Sequence, residues 1–543
     1  MAGNPTKVNS YQGCIRFMNQ KLAKQIVEEC IRHGIQEFCV APGSRNAPLV
    51  YALTRSDQVK IYYWSEERSA AFFALGRIKA TGKPVAVVTT SGTAAAELLP
   101  AAMSGYYLGL PLLLITADRP RRFRGTGAPQ TAEQQGLFGC YVHFETDIAR
   151  DESLQLNAWV CRSPAHINVC FEEPNEKECE KIEIQKNIVI RQDTKNEFCF
   201  EDNMDLFNNF IRSVQAPLVV IGSLSICCKE QAIEFLLKLN APVYAEGTSG
   251  LREDARLDHL KIRNIEKMWR RAGENGYSID GVLRIGEVPT ARLWRDLEDL
   301  EGKVKVCSVS ELPFSGLSWN GLVFMRLKDF FEQALHLSYE KKYPFQNWLK
   351  ADQTFYNKLI ELFNEEPHAE PSLFHTLSSR LSHQSNVYLG NSLPIREWDL
   401  AATYENKHFE THASRGVNGI DGQISTFLGV SHPDKDNWAI LGDLTALYDM
   451  AGPWILSKMS DFSINIVIVN NGGGQIFSRM YALPEFTNPH TLEFKCFAEF
   501  WNMHYEKWEC IPDQITTEKG HRLIEILPDI QSTQRFWQKV STL

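Results

Sequence analysis

The sequence is poor in the patterns that mark membrane, secreted or repeat proteins. It has no run of roughly 18 or more apolar residues, the length that a membrane-spanning helix needs. No signal-peptide pattern is found, since residues 4 to 20 are polar and mixed, and we therefore expect a cytoplasmic protein. The lack of a fixed-period repeat or a low-complexity segment argues against a solenoid or a long flexible tail.

Paired-cysteine motifs and basic tracts are missing as well. The thirteen cysteines include no C-x-x-C pair and lie in apolar stretches such as residues 38–40, which favours reduced core thiols over disulfides or zinc sites. The formal net charge is -9, and the densest basic cluster, Arg121-Arg122-Phe123-Arg124, is short, so we expect no nucleic-acid partner. No G-x-G-x-x-G motif joins a strand to a helix, which disfavours a flavin or nicotinamide cofactor.

What is present is a long chain in which strand and helix patterns alternate. Its 543 residues, 44% hydrophobic and 23% charged, have the composition of a soluble globular protein and the length of three domains. The alternation predicts α/β domains, each a mostly parallel sheet flanked by helices. We place these domains at 1–185, 197–340 and 345–543, with a charged, exposed linker within 172–196.

The stretch from Gly442 to Phe477 places polar groups after two predicted buried strands. Asp443 follows the apolar residues 438–441, and Asn471 follows the apolar residues 464–469. This edge of an open parallel sheet is where ligands bind. A carboxylate, an amide and a backbone carbonyl suit Mg2+, and the glycines after Asn471 let backbone approach a diphosphate. Alternatively, both motifs are ordinary turns at strand ends.

Polar loops also follow three predicted strands of the first domain. Residues 37–40 lead into a loop with Ser44 and Arg45, which offers backbone N–H groups, a hydroxyl and a guanidinium to an anion, or is simply structural. The strands at 84–90 and 112–116 end in small and polar residues. All three loops would line one edge of one sheet.

Two acidic residues, Glu66 and Glu67, precede a predicted buried helix that includes residues 70–75. In one interpretation they only stabilise the helix dipole at its N-terminus. In the other, one carboxylate points inward, loses its water and becomes a candidate acid or base. The spacing leaves both interpretations open.

Five segments of the first domain resemble, in order and spacing, the pyrimidine-binding domain of the MenD family, the thiamin diphosphate-dependent 2-succinyl-5-enolpyruvyl-6-hydroxy-3-cyclohexene-1-carboxylate synthases of menaquinone biosynthesis. The segments are Pro42-Gly43-Ser44-Arg45, Glu66-Glu67-Arg68, Thr90-Ser91-Gly92-Thr93-Ala94, Thr116-Ala117-Asp118-Arg119-Pro120 and Gly127-Ala128-Pro129-Gln130. The Gly442 to Phe477 stretch is similar to that family's metal motif. Leu444 supports the resemblance, because MenD-like sequences carry leucine where many related enzymes carry glycine.

The resemblance implies the three-domain α/β fold of thiamin diphosphate enzymes, with thiamin diphosphate and Mg2+ (or Mn2+) as cofactors. Asp443, Asn471 and Gly473 would bind the metal. Glu67 would hydrogen bond the pyrimidine and favour the imino tautomer that removes the C2 proton, and Ile420 would hold the cofactor bent. The implied cofactor-binding residues are Glu67, Gln130, Ser392, Gly442, Asp443, Leu444, Asn471, Gly473, Ile476 and Phe477.

The implied reaction is decarboxylation of 2-oxoglutarate and 1,4-addition of the resulting carbanion to isochorismate. Both substrates are dianions, and guanidinium groups pair with carboxylates in a bidentate manner. The implied substrate-binding residues are Ser44, Arg45, Arg119, Gln130, Arg292, Arg396 and Arg415. The position of Arg292 is often lysine in the family. In this superfamily two subunits share each active site, which implies a homodimer or a homotetramer.

Two other functions stay open at this point. One is a different thiamin diphosphate enzyme, a 2-oxoacid decarboxylase or an acetolactate synthase-like carboligase, but such enzymes usually act on apolar or monoanionic substrates and would not need five arginines. The other is a catalytically inactive homologue that binds thiamin diphosphate or an acidic metabolite as a regulator or scaffold. The presence of Glu67, Asp443 and Asn471 argues against lost catalysis.

Overall fold

The computed structural model describes residues 5–175, 182–191, 203–481, 483–516 and 519–543, with side chains from residue 19 onward and without that of Ile226. The chain divides into two compact units. Unit 1 comprises residues 1–198, 414–431 and 447–460, and unit 2 comprises residues 199–413, 432–446 and 461–543. The three domain ranges stay a prediction, and residues 176–181 and 192–196 of the predicted linker lie outside the described residues.

Three sheets of parallel strands form the framework of the fold. The first, in unit 1, has the order β2-β1-β3-β4-β6-β5, with β1 Glu37–Val40, β2 Lys60–Tyr63, β3 Val85–Thr89, β4 Leu112–Asp118, β5 Phe144–Ala149 and β6 Ala165–Cys170. The second, in unit 2, has the order β11-β10-β9-β7-β8, with β7 Pro217–Ile221, β8 Val243–Ala245, β9 Gly281–Ile285, β10 Lys305–Ser310 and β11 Gly321–Phe324. The third, also in unit 2, has the order β13-β12-β14-β15-β17-β16, with β12 Asn386–Leu389, β13 Glu410–His412, β14 Asp436–Gly442, β15 Ser463–Val469, β16 His504–Trp508 and β17 Gly520–Ile526.

Helices alternate with these strands along the chain. They are α1 Pro5–Arg32, α2 Ala47–Thr54, α3 Glu67–Thr81, α4 Thr93–Ala96, α5 Leu99–Leu108, α6 Met204–Ser213, α7 Lys229–Leu239, α8 Ile265–Met268, α9 Arg292–Asp296, α10 Leu327–His336, α11 Gln346–Glu365, α12 Glu370–Arg380, α13 Leu393–Ala401, α14 Gln423–Val430, α15 Asp443–Tyr448, α16 Lys495–Phe500 and α17 Ile530–Thr542. Within the described ranges, no helix is both long and apolar enough to cross a membrane.

The central strands are mostly apolar, and they are buried along their whole length because both of their faces are covered. Every residue of β3, β4, β12 and β15 is buried, as expected for a parallel sheet between helices. The predicted α/β class with mostly parallel sheets is therefore confirmed. Since the strands of each sheet run the same way, their carboxyl ends meet at one edge, and polar residues can be reached there.

In unit 1, α3 packs closely against α14 because two glycines face each other. A Cβ on Gly76 would lie 2.7 Å from the Gly429 Cα and collide with the carbonyl oxygen of Thr426. The Thr426 hydroxyl also donates to the Phe72 carbonyl at 3.3 Å. Only residues without a side chain allow two backbones to approach in this way. The contact fixes the direction of α3, the helix that begins at Glu67.

A buried carboxylate, Asp449, connects the same two helices. Its Oδ2 accepts the Ser425 backbone N–H at 2.7 Å, and its Oδ1 accepts the hydroxyls of Ser425 at 3.0 Å and of Ser69 at 3.2 Å. Burial raises the pKa of Asp449 to about 6, and these hydrogen bonds oppose the rise. Through Ser69, the network holds the first turn of α3.

The described cysteines are free thiols, and they divide into two groups. Cys30, Cys39, Cys170, Cys228 and Cys307 are buried, whereas Cys140, Cys161, Cys227, Cys496 and Cys510 are exposed. The expectation of core thiols is confirmed for the first group and wrong for the second. An apolar neighbour in sequence predicts burial within a sheet strand, but it does not do so in turns and short helices, where the exposed group lies.

We expect Gly76→Ala to destabilise unit 1, because the new methyl group would collide with the backbone of α14. Overpacking of this kind costs about 1–3 kcal/mol. The measurement is the midpoint of thermal unfolding. Gly273→Ala is the matched control, since a Cβ there would meet only the Ser278 Oγ at 3.4 Å. Equal midpoints for the two variants would contradict the close packing.

Candidate active site

Asp443 and Asn471 lie at the carboxyl ends of neighbouring strands in unit 2. Strands β14 and β15 pair in parallel with Gly442 opposite Val469, so the residues that follow them emerge at the same edge. Asp443 is the first residue of α15 and is only 2% exposed. This edge is the one at which open parallel sheets bind ligands.

The Asp443 carboxylate is held by backbone N–H groups. Its Oδ1 accepts the N–H of Leu444 at 2.6 Å, and its Oδ2 accepts the N–H of Gly473 at 2.8 Å. The Nε2 atom of His490 lies 3.3 Å from Oδ2. Burial raises the pKa of Asp443, while the N–H groups and His490 act in the opposite direction. The carboxylate is thus tied to the glycine run that follows β15.

Asn471 leaves one oxygen atom free to bind a ligand. Its Nδ2 donates to the Glu370 Oε1 at 3.2 Å and to the Glu370 Oε2 at 3.0 Å. Its Oδ1 is buried and has no hydrogen-bond partner among the described residues. Oxygen atoms of this kind are the ligands that Mg2+ and Mn2+ prefer. Among the described residues, no group of three or more His, Cys, Asp and Glu side chains is suited to hold a metal.

Little space is left around the glycine run, Gly472 to Gly474, because the segment 487–490 packs against it. Gly472 and Gly473 have φ values of 77° and 132°, and a Cβ on Gly473 would lie 2.9 Å from the Asn488 carbonyl oxygen. The Gly474 N–H donates to the Thr487 carbonyl at 2.6 Å, and the His490 N–H donates to the Gly472 carbonyl at 3.2 Å. Only glycine fits this backbone path. Beyond the run, Ile476 is half-buried and Phe477 is exposed in a short 3-10 helix.

Three residues near this edge carry no functional signal in the sequence. Glu370, the first residue of α12, and Glu397 on α13 are each 4% exposed. Burial raises the pKa of Glu370 to about 7 and that of Glu397 well above its usual range. His490 lies beside Asp443, with its Nε2 atom 3.3 Å from the carboxylate. A glutamate at the start of a helix looks like a capping residue, so only the folded structure distinguishes Glu370.

In unit 1, the structure separates the roles of Glu66 and Glu67. The Glu66 carboxylate caps α3, since it accepts the N–H groups of Arg68 at 3.1 Å and of Ser69 at 2.7 Å. Glu67 is therefore not needed as the cap. It lines a cavity of about 460 Å³ together with Glu66, Arg68, Thr90, Ser91, Thr93, Ala94, Glu97 and Gln130. Burial raises the pKa of Glu67, and the nearby carboxylates of Glu66 and Glu97 add to this.

Ile420 lies in the glycine-rich loop that leads into α14. The side chain of Ile420 is half-buried. Gly422 has a φ of 61°, and a Cβ at this position would overlap the ring of Phe72 on α3. The loop can therefore approach α3 only because residue 422 is glycine.

The substrate-binding residues predicted in unit 1 differ in exposure and pairing. Arg45 is 5% exposed, and it donates to the Phe171 carbonyl at 3.3 Å and to the Glu173 carboxylate at 2.7 Å. Ser44 is exposed and Arg415 is half-buried. Arg119 is half-buried, with its guanidinium 5.8 Å from the Phe123 ring centre. Arg45 is thus oriented by protein groups that an incoming anion would have to share or replace.

In unit 2, the predicted arginines lie at helix surfaces. Arg292, at the start of α9, has a side chain that is 68% exposed, and it pairs with Asp296 at 3.4 Å. Arg396 on α13 is exposed and donates to the Ser392 carbonyl at 2.5 Å. Ser392 has a φ of 76°, a conformation that is rare for residues other than glycine. Both guanidiniums are accessible to an anion, and their substrate contacts stay predictions.

Comparisons with known proteins identify the family and the fold of the chain. Residues 20–137 match the model of the thiamine pyrophosphate enzyme N-terminal TPP binding domain. A solved Mycobacterium smegmatis structure, described as a thiamin diphosphate-dependent enzyme, has a TM-score of 0.68 at 14% identity and covers 93% of this chain and 99% of that one. This similarity shows the fold.

Two relatives are much closer in sequence, and both are 2-succinyl-5-enolpyruvyl-6-hydroxy-3-cyclohexene-1-carboxylate synthases. The protein from Bdellovibrio bacteriovorus is 41% identical over 97% of this chain and 99% of its own length. The protein from Akkermansia muciniphila is 37% identical over 94% of this chain and 97% of its own length. The predicted family is therefore confirmed: the chain belongs to the 2-succinyl-5-enolpyruvyl-6-hydroxy-3-cyclohexene-1-carboxylate synthase (MenD) family.

Proposed function

We propose that this chain decarboxylates 2-oxoglutarate and transfers the remaining succinyl unit to isochorismate, the reaction that gives 2-succinyl-5-enolpyruvyl-6-hydroxy-3-cyclohexene-1-carboxylate in menaquinone biosynthesis. The observation that carries the proposal is a pair of oxygen donors at one sheet edge. They are the buried Asp443 carboxylate and the Asn471 Oδ1, which has no hydrogen-bond partner among the described residues. Similarity to synthases of that name over nearly the whole chain supports the choice of substrates.

The metal site would hold Mg2+ or Mn2+ and, through it, the diphosphate. Asp443, the Asn471 Oδ1 and the Gly473 carbonyl would be the protein ligands, and phosphate and water oxygens would complete the coordination. When bound, thiamin diphosphate supplies the electron sink for decarboxylation of a 2-oxo acid. Ser392, Gly442, Leu444, Ile476 and Phe477 are proposed to complete the cofactor contacts in unit 2.

In unit 1, Glu67 would act on the cofactor's pyrimidine ring. Burial raises the pKa of Glu67, and a carboxyl group with a raised pKa exchanges a proton more readily with the ring, which suits the tautomer exchange that this cofactor requires. Gln130, which lines the same cavity, would offer a neutral hydrogen bond, and Ile420 would support the bent cofactor. The arginines would orient the substrate carboxylates through paired N–H groups.

The proposed assembly is a homodimer, or a homotetramer, with active sites between subunits. In unit 2, exposed apolar side chains follow the glycine run at 472–474. They are Met480, Tyr481, Leu483, Phe486 and Leu492. Unit 1 exposes Tyr63, Tyr448 and Trp454, and Trp454 donates to the Tyr63 carbonyl near the start of α3. Clustered apolar exposure is typical of a surface that another protein covers. A cytoplasmic location stays a prediction.

The deciding experiment is product analysis with purified protein. We expect thiamin diphosphate, Mg2+, 2-oxoglutarate and isochorismate together to yield carbon dioxide and a succinyl-bearing adduct, measured by mass spectrometry. Pyruvate in place of 2-oxoglutarate is the control. Turnover of pyruvate, or decarboxylation without any use of isochorismate, would instead indicate a different 2-oxoacid enzyme of the same fold.

Glu67→Gln is expected to bind the cofactor and lose most turnover, because the amide keeps the shape but cannot exchange the proton. General acid–base groups contribute about 100- to 10,000-fold, so kcat should fall by roughly that factor. Stopped-flow rates and cofactor titration separate the two effects. Glu361→Gln, the same change on the exposed face of α11, is the control. Wild-type kcat in Glu67→Gln would remove this residue from the mechanism.

Asp443→Ala should abolish metal-dependent binding of thiamin diphosphate, because the buried carboxylate is the only charged protein ligand in the proposed set. The measurement is calorimetric titration of the cofactor with and without Mg2+. Asp434→Ala is the matched control, since Asp434 precedes β14 and its side chain is 85% exposed. An unchanged affinity in Asp443→Ala would refute the proposed metal site.

A further inference from the structure

Two consecutive asparagines after β15 are anchored by two different buried glutamates. The Asn470 Nδ2 donates to the Glu525 Oε1 at 2.6 Å. The Asn471 Nδ2 donates to both carboxylate oxygens of Glu370, at 3.2 and 3.0 Å. Glu525 belongs to β17 and is fully buried, and Glu370 begins α12 and is 4% exposed. Each amide is therefore held from a separate element of unit 2.

The bond from Glu370 decides which end of the Asn471 amide faces away from it. A carboxylate accepts hydrogen bonds, so it binds the amide nitrogen and leaves the oxygen on the opposite side. That oxygen is the buried Oδ1 atom without a partner among the described residues. An amide rotated by half a turn would instead present N–H groups, which repel a cation.

The rest of unit 2 holds Glu370 in place. Its backbone N–H donates to the Thr533 hydroxyl at 3.0 Å, and that hydroxyl donates in turn to the Asp529 carbonyl at 2.8 Å. The backbone from which the carboxyl group extends is therefore positioned by the contact between α12 and α17. A rigid partner of this kind can set the orientation of a ligand residue that it contacts.

We propose that Glu370 is a positioning residue of the metal site: it holds Asn471 so that the amide oxygen, rather than the nitrogen, faces a divalent cation. The inference rests on the proposed function, which places that cation at Asp443, Asn471 and Gly473. Glu370 does not bind the cation in this assignment and acts only through Asn471.

Glu525 provides an internal comparison, because both the nitrogen and the oxygen of the Asn470 amide hydrogen bond to other groups of the protein. The Asn470 Nδ2 also donates to the Leu492 carbonyl at 2.8 Å, and the Asn470 Oδ1 accepts the Gly472 N–H at 3.3 Å. Asn470 thus stabilises the loop and leaves no oxygen for a cation. Glu525 also accepts the Phe494 N–H at 3.1 Å and the Tyr505 hydroxyl at 2.7 Å, so its removal leaves a larger buried defect than removal of Glu370. Only the change at 370 should nevertheless alter metal binding.

The test is the affinity for Mn2+ in the presence of thiamin diphosphate, measured from the electron paramagnetic resonance signal of free Mn2+. Glu370→Met removes both acceptor oxygens at similar length, and we expect roughly 10- to 100-fold weaker binding, the usual effect of losing such a partner. Glu370→Gln keeps one acceptor oxygen and should lie between Glu370→Met and the wild type. Glu525→Met, the matched control, should bind Mn2+ like the wild type.

Thermal unfolding of the same proteins without metal distinguishes a positioning role of Glu370 from a structural one. A purely structural role would lower the unfolding midpoint without the graded change in the affinity for Mn2+. Wild-type affinity in Glu370→Met, or an equal loss in Glu525→Met, would overturn the inference and leave the proposed function intact. A wild-type protein that does not bind Mn2+ would overturn both. If Glu370→Met does not fold, Glu370→Leu takes its place with the same expected loss.

Discussion

The burial of the Asp443 carboxylate at the end of β14 is the constraint on which the proposed metal site depends. A buried charge is costly unless hydrogen bonds satisfy it, and here the N–H groups of Leu444 and Gly473 do so. These bonds require the chain after β15 to return to within 2.8 Å of the carboxylate, which in turn requires glycine at 473. The segment 487–490 then closes over the same backbone. One carboxylate thus determines the path of two loops.

The central strands of the sheets can be predicted from the sequence because most of their residues are apolar. Residues 37–40 are predicted as a strand and form one with the same bounds, because a short, mostly apolar run suits a strand that is buried between helices. The edge strands β5 and β16 were not predicted. They carry charged residues along their length and are only partly buried, so their pattern resembles that of a loop.

The sequence could not predict how charged residues pair, because pairing depends on contacts between distant segments. Arg121 and Arg124, in the densest basic cluster of the chain, bind the carboxylates of Asp147 and Glu152. The cluster is therefore largely neutralised within the fold. Glu66 and Glu67 show the same limit at short range. Adjacent carboxylates at a helix start look equivalent in sequence, and only the hydrogen bonds to Arg68 and Ser69 identify Glu66 as the cap.

The acidic residues beneath the proposed metal site are costly for stability. Glu370, Glu397 and Asp443 are all nearly inaccessible to solvent, and burial raises the pKa of each. Apolar residues of similar size would stabilise a core better than carboxyl groups in such positions. A divalent cation at the proposed site would change this balance, because its charge would favour the ionised forms. We propose that a divalent cation bound at this edge would offset the cost of burying these carboxyl groups.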